Sequence, residues 1–318
     1  MTFDLDNFLG PAPVIPTGPA PGAKPAPSLR LIPTPAPVTR LFPEMPAPGV
    51  YYGVPAWEYH TWPYISSTML KAYAKRPSTA RIPFRPGDDA NVGSGLHAYC
   101  LQGEQALADE CYFLPPECLG KGAKAVELRD YYIRLYPSKA HLPFSFEKLP
   151  IMEVLQGVDA QLKTHLATKL ILANSQKEVS LVWIDTMSGA PCKCRLDIWD
   201  QSRRAIWDLK KTAQIDRFHY QIKDLFYGIQ AGHYFNGAEA CGLNPKDFGF
   251  IPCEAVPPFE VGVRLRDPEK LINDCLDAAR LVSLLVQSKV SNNWPNHQIP
   301  YSVSDLDEMK ASDLIVYC

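Results

Sequence analysis

Hydrophobic positions recur along this chain with two different periods, and the switch from one to the other divides the sequence. In "ISSTMLKAYAKRP", Met69, Leu70 and Tyr73 return at helical spacing behind Ser66 or Ser67 as N-cap, and Pro77 stops the run. "NVGSGLHAYCLQ" predicts a second, short helix that sets His97 beside Gly93, Ser94 and Gly95, small residues that permit close backbone approach. Residues 121–175 read as mostly helical. The period then falls to two. "EVSLVWID" and "PCKCRLDIWD" predict strands joined by a turn at "TMSGA", and "RAIWDLKKT" predicts a third. Phe218, Ile222, Leu225, Phe226 and Ile229 next mark one long amphipathic helix that Gly242 ends. "DFGFIPCEA" and "FEVGVRLRD" predict a strand pair, and a last helix runs from Pro268 to about Val290. Strands and helices in this order predict an α/β or α+β domain, a mixed sheet with helices packed on it.

Composition adds a boundary. The first 49 residues hold 13 of the 31 prolines, set among small residues as in "GPAPVIPTGPAPGAKPAP". Such a segment favours extended polyproline II and cannot build a core, so residues 1–49 are expected to be a disordered arm and residues 50–318 the domain. No apolar run approaches the roughly 20 residues that span a bilayer, and "MTFDLDNFLG" carries acids where a signal peptide needs bases. The expectation is a cytoplasmic protein with no membrane contact. Nine cysteines, an odd and scattered set, do not make a disulfide framework; the C-x-C pair Cys192 and Cys194 is expected to be two buried free thiols. With a net charge of −2, any nucleic-acid contact must rest on local bases such as Arg203, Arg204, Lys210 and Lys211.

The chemistry lies where acids interrupt the strands. Alternation on the second strand puts Lys193, Arg195, Asp197 and Trp199 on one face and Cys194, Leu196 and Ile198 on the core face. On the third, Ile206, Asp208 and Lys210 share a face. If the strands are neighbours, two carboxylates and an ammonium converge. Two such carboxylates repel unless one is protonated or a cation sits between them, and hard oxygen ligands suit Mg²⁺ or Mn²⁺. Lys210 is then placed to stabilise developing charge. By itself the D-x(10)-D-x-K pattern also describes two solvated strand ends with an ordinary surface lysine.

The stretch "CRLDIWDQSRRAIWDLKKT" resembles the core of the PD-(D/E)XK nuclease superfamily. With "ISSTMLKAYAKRP", "VGSGLHAYCLQGE", "EVSLVWIDTMSGAPCKCRLDIWD", "WDLKKTAQIDRFHY" and "YGIQAGHYFNG", the chain from about Tyr52 onward is similar to RecE-type exodeoxyribonucleases of phage and prophage recombination. The resemblance implies a restriction-endonuclease-like mixed central sheet flanked by helices. It implies Asp197, Asp208 and the Leu209 carbonyl as metal ligands, Lys210 as catalytic lysine, His97 close to the metal, and Glu178 as either an auxiliary ligand or a solvated residue at the start of a strand. Gln230 and Tyr234 fit a Q-x-x-x-Y element that positions DNA, and Arg195, Arg203, Arg204 and Lys211 are the further DNA contacts expected. It implies Mg²⁺ as cofactor with Mn²⁺ able to substitute, and 5′→3′ digestion of linear duplex DNA, the alternatives being a related nuclease of a DNA repair or defence complex or a catalytically silent DNA-binding scaffold of the same fold. Its implied partners are duplex ends, a single-strand annealing recombinase and further copies of the chain in a ring, in the cytoplasm of a bacterial host.

Overall fold

The computed structural model describes residues 45–82 and 85–296; most of the proline-rich arm lies outside the described residues. Strand β1 (Gly49–Tyr51) is followed by helices α1 (Ala56–Thr61) and α2 (Ser67–Lys75). Helix α3 (Asp88–His97) runs on into a π-helical turn (Ala98–Gln102) and is followed by α4 (Glu104–Glu110), β2 (Cys111–Phe113) and α5 (Ala123–Leu135). Three short strands, β3 (Ala140–Leu142), β4 (Ser145–Phe146) and β5 (Leu149–Pro150), lead into α6 (Ile151–Thr164) and α7 (Leu166–Ala173). Then come β6 (Gln176–Ile184), β7 (Pro191–Asp200), β8 (Ala205–Thr212), α8 (Phe218–Asp224), α9 (Tyr227–Ala240), β9 (Asp247–Glu254), β10 (Arg264–Leu265) and α10 (Pro268–Ser291).

Six strands form the central sheet in the order β1-β6-β7-β8-β9-β10. β8 and β9 are parallel and the other neighbours antiparallel, so the sheet is mixed, as the sequence predicts. One face packs against α2, α9 and α10: Leu70 and Tyr73, Ile229 and Ala238, and Leu281 and Leu285 close over Val179, Leu181, Leu196, Ile206, Phe248 and Phe250. Cys192 and Cys194 lie in this core as free thiols. At Gly232 a Cβ would come within 2.0 Å of the Asp274 carbonyl oxygen, so only glycine lets α9 and α10 cross this closely. Gly95 does the same for α3, where a Cβ would meet Leu142 at 2.7 Å. That seating fixes the C-terminal end of α3, which carries His97. Among the described residues no helix is long and apolar enough to cross a membrane.

Three sequence expectations change. The helical reading of residues 121–175 is interrupted by β3, β4 and β5 in a stretch holding Pro137, Pro143 and Pro150, each of which removes a backbone donor. The single long helix after β8 is two: Phe226 is left-handed (φ 55°), and α9 starts afresh behind it. Of the second strand in the final pair only Arg264 and Leu265 join β9, with one further bridge between Cys253 and Val261.

Candidate active site

β7 and β8 pair from Asp200–Ala205 to Ile198–Trp207, and there the ladder stops. Carried one residue further, the same register sets Asp197 opposite Asp208. The Leu209 amide donates instead to Asp197 Oδ2 at 2.8 Å, so a carboxylate replaces the missing strand carbonyl. The register between β6 and β7, from Lys177–Ile198 to Val179–Leu196, likewise sets Glu178 opposite Asp197. Glu178 is left-handed (φ 53°), a backbone state that costs a non-glycine residue about 1–3 kcal/mol and persists only where its surroundings impose it. Here they do: Arg195 Nε stands 2.6 Å from Glu178 Oε2, Arg195 donates to the Val54 carbonyl at 2.8 Å, and its guanidinium lies over the Tyr59 ring. The pleat also slips at this point, since Trp199 packs in the main core with Leu196 instead of sharing a face with Asp197.

His97 reaches in from the end of α3. Its Nε2 donates to the Leu209 carbonyl at 3.0 Å, while Nδ1 lies 3.4 Å from Asp197 Oδ1 and 3.7 Å from Glu178 Oε1. One ligand atom from each of His97, Glu178 and Asp197 lies within 4.8 Å of the others. Glu178 Oε1 is buried and accepts no hydrogen bond, an oxygen that a cation would satisfy. A nitrogen with carboxylate oxygens is a donor set that fits a divalent metal. Burial alone would lower His97, but Asp197 and Glu178 hold its pKa well above the ordinary 6.5. Burial would raise Asp197, yet the charge and hydrogen bond of His97, then Lys210 and the Leu209 amide, carry it below its ordinary value.

Asp208 is fully buried, and its two oxygens are divided between two elements. Oδ2 pairs with Lys210, and Oδ1 accepts from Gln230 Nε2 on α9 at 2.7 Å. Burial dominates here; Lys210 opposes it and Asp197 adds to it, and the Asp208 carboxyl is pushed up to about 6. Lys210 rises above its usual value against the effect of burial, because Asp208 and Asp197 outweigh it. The Lys210 ammonium also lies over the Tyr227 ring, 5.1 Å from its centre. From α2, Lys71 Nζ donates to Gln230 Oε1 at 3.1 Å and faces the same ring at 5.5 Å. Burial first, then Lys210, press the Lys71 amine down to about 8 against the pull of Asp208 and Asp197.

The structure thus brings together His97, Glu178, Asp197, Asp208, Leu209, Lys210 and Gln230. Tyr234, one turn beyond Gln230, is buried in the main core. Arg195, expected to face DNA, is buried and turned onto Glu178. Arg203 pairs with Asp200 at 2.9 Å and Arg204 donates to the Asn244 carbonyl at 2.5 Å, both at the β7–β8 turn. At about 3.3 Å per residue, Arg204 stands roughly 13 Å along the strand from Asp208. Lys211 pairs with Asp89 at 2.7 Å and lies over the Phe146 ring. Of the four bases expected to cluster, only Lys210 meets the acids. Sequence reasoning missed Lys71 and Tyr227. The signal for Lys71 was its face: it lies four residues after Ser67 and three before Ala74, both buried, so a cation sits on the apolar stripe of α2.

No protein-family model matches the sequence, and no curated protein matches it. Among solved structures the chain is similar to a protein from Eubacterium rectale that is named, provisionally, as an exonuclease: TM-score 0.51 and 14% identity over 79% of this chain and 92% of that one. A phage-related exonuclease from Haemophilus somnus aligns at 14% identity over 72% of this chain and 96% of that one, with a TM-score of 0.31, too low to establish a shared fold. The first likeness is one of fold.

Proposed function

We propose that the chain is a Mg²⁺-dependent 5′→3′ exodeoxyribonuclease that digests linear duplex DNA and leaves 3′ single-stranded tails for recombination. The observation that carries this reading is the meeting of His97, Glu178, Asp197, Asp208 and Lys210 where β7 and β8 part. A fold shared with a protein provisionally named as an exonuclease supports it. His97, Glu178, Asp197, Asp208 and the Leu209 carbonyl would hold the cation, with Mn²⁺ an acceptable substitute. Once bound, the cation supplies Lewis-acid activation of the attacking water and neutralises charge on the phosphate.

The chain's own groups do the rest. Lys210 is a protonated donor, and it donates to a phosphoryl oxygen as negative charge builds there. Gln230 holds one oxygen of Asp208, so the carboxylate keeps its orientation while Lys210 turns to the substrate. Tyr227 gives both nearby ammonium groups an aromatic face. Partners in this reading are DNA ends, a single-strand annealing recombinase and further copies of the chain in a ring, within the bacterial cytoplasm; Tyr234 and the bases beyond Lys210 have no DNA contact assigned.

Purified protein incubated with end-labelled linear duplex, with and without Mg²⁺, tests this directly. Metal-dependent release of nucleotides from the 5′ label is expected. Release from the 3′ label first would reverse the polarity, and no release with either label would sink the nuclease reading.

A further inference from the structure

We propose that Lys71 is a positioning residue that sets the orientation of the Gln230 amide and, through it, the carboxylate of Asp208. The inference rests on the nuclease reading for its activity test, though not for its metal test. Three residues from three elements form a directed chain: Lys71 Nζ on α2 donates to Gln230 Oε1 at 3.1 Å, and Gln230 Nε2 on α9 donates to Asp208 Oδ1 on β8 at 2.7 Å.

The direction of this chain is fixed by chemistry. A lysine ammonium has three donors and no acceptor, so it faces the oxygen end of an amide. The nitrogen end must then face Asp208, where a carboxylate has only acceptors to offer. Remove the ammonium and Gln230 Oε1 loses its one hydrogen-bond partner among the described residues, so Asp208 alone is left to hold the amide in this orientation. A flipped amide would present its oxygen to a buried carboxylate oxygen, leaving both without a donor. Asp208 would then have Lys210 as its one remaining partner of those described, and Lys210 is the group the reaction needs free.

Stability gives little reason for Lys71, because the pull of Asp208 and Asp197 does not offset burial and the charge of Lys210. Its ammonium lies on the buried stripe of α2, its hydrogen-bond acceptor is a neutral amide, and it shares the Tyr227 ring with the like charge of Lys210. An apolar residue there would avoid that repulsion and the desolvation of a charge. What an apolar residue would not do is orient Gln230.

The test is a double-mutant cycle with Lys71→Met and Gln230→Met, with Lys71→Arg as the conservative variant, read in two ways. On linear duplex, each Met variant should lower kcat by about 10–100-fold, the usual range for a residue that orients a metal ligand, with KM held within about 2-fold. The double variant should be no worse than Gln230→Met alone, because Lys71 acts only through Gln230. Lys71→Arg, which still presents a donor, should recover most of the loss. The second reading is the affinity for Mn²⁺ alone by calorimetry, where the same non-additive pattern is expected without any reaction. If the losses from the two single variants multiply in the double, or Lys71→Met keeps full kcat and Mn²⁺ affinity, the proposal is overturned. If wild-type protein fails to cut DNA while the Mn²⁺ cycle behaves as stated, the nuclease reading falls and the Lys71–Gln230–Asp208 chain stands.

Discussion

Replacing Arg195 with Met removes a guanidinium and keeps most of the length of the side chain. In the native protein that group stands 2.6 Å from Glu178 Oε2, with the two side chains only 10% and 11% exposed. Removing one partner of a buried ion pair costs about 3–5 kcal/mol when the other charge is left uncompensated, and the lower end applies here because His97 Nδ1 stays 3.7 Å from Glu178 Oε1. Glu178 faces a second carboxylate, Asp197, across the strands, and its left-handed backbone depends on the contacts that hold its side chain. The lost hydrogen bond to the Val54 carbonyl adds about 1 kcal/mol. A domain of this kind has about 5–15 kcal/mol of stability in total, so Arg195→Met should remove about a quarter of it or more.

Urea unfolding in chelator at neutral pH measures this loss. Adding Glu178→Gln to Arg195→Met should return about half of it or more, since the charge that lost its nearest partner is then gone. The competing reading, that Arg195 contacts DNA, makes the opposite pair of predictions. A surface contact would leave stability within about 0.5 kcal/mol of native and lower the salt slope of DNA binding by about 1. That combination would refute the assignment of Arg195 to Glu178.

Asp208→Ala should abolish metal-dependent digestion while leaving binding to duplex ends in chelator intact or slightly tighter, because a carboxylate that would face the phosphates is removed; Asp197→Ala should match it, with the double variant little worse than either single in nucleotide-release assays. Lys210→Met should lower kcat by about 10²–10³-fold with duplex affinity changed no more than about 3-fold, since its donor acts as charge develops; equal losses in both, by single-turnover cleavage and equilibrium binding, would make it a simple phosphate contact. Mn²⁺ affinity should climb with pH above 6.5: the His97 pKa is raised, so its proton stays on until pH rises through that higher value, and metal at Nδ1 must displace it. Calorimetry in two buffers of different ionisation enthalpy should count the proton released, and an affinity that is flat between pH 6.5 and 8.5 would remove His97 from the ligand set.

What the sequence made legible were the residues that break a local pattern. Asp197, Asp208 and Lys210 stand out as charges inside strands, a pattern that solvated strand ends also produce, and only the resemblance to a nuclease core singled out these residues together with His97. What it concealed depends on contacts or backbone states that a period cannot encode. Alternation correctly put Arg195 beside Asp197, yet gave no sign that its guanidinium turns back onto Glu178, since that depends on a left-handed residue in the neighbouring strand. Lys71 and Gln230 are 159 positions apart, so their bond is visible only after α2 and α9 have packed. The break between α8 and α9 was concealed for another reason. Apolar residues keep helical spacing straight across it, and the left-handed residue is Phe226, not a glycine that would have marked a turn. Yet the break has a consequence for the site. A helix running unbroken from Phe218 would carry the register of α8 through Tyr227 and Gln230; restarting it after Phe226 frees α9 to place those two residues against Lys210 and Asp208. The strained residues at Glu178 and Phe226 therefore flank the same pair of carboxylates, one in the strand beside Asp197 and one at the start of the helix that holds Asp208.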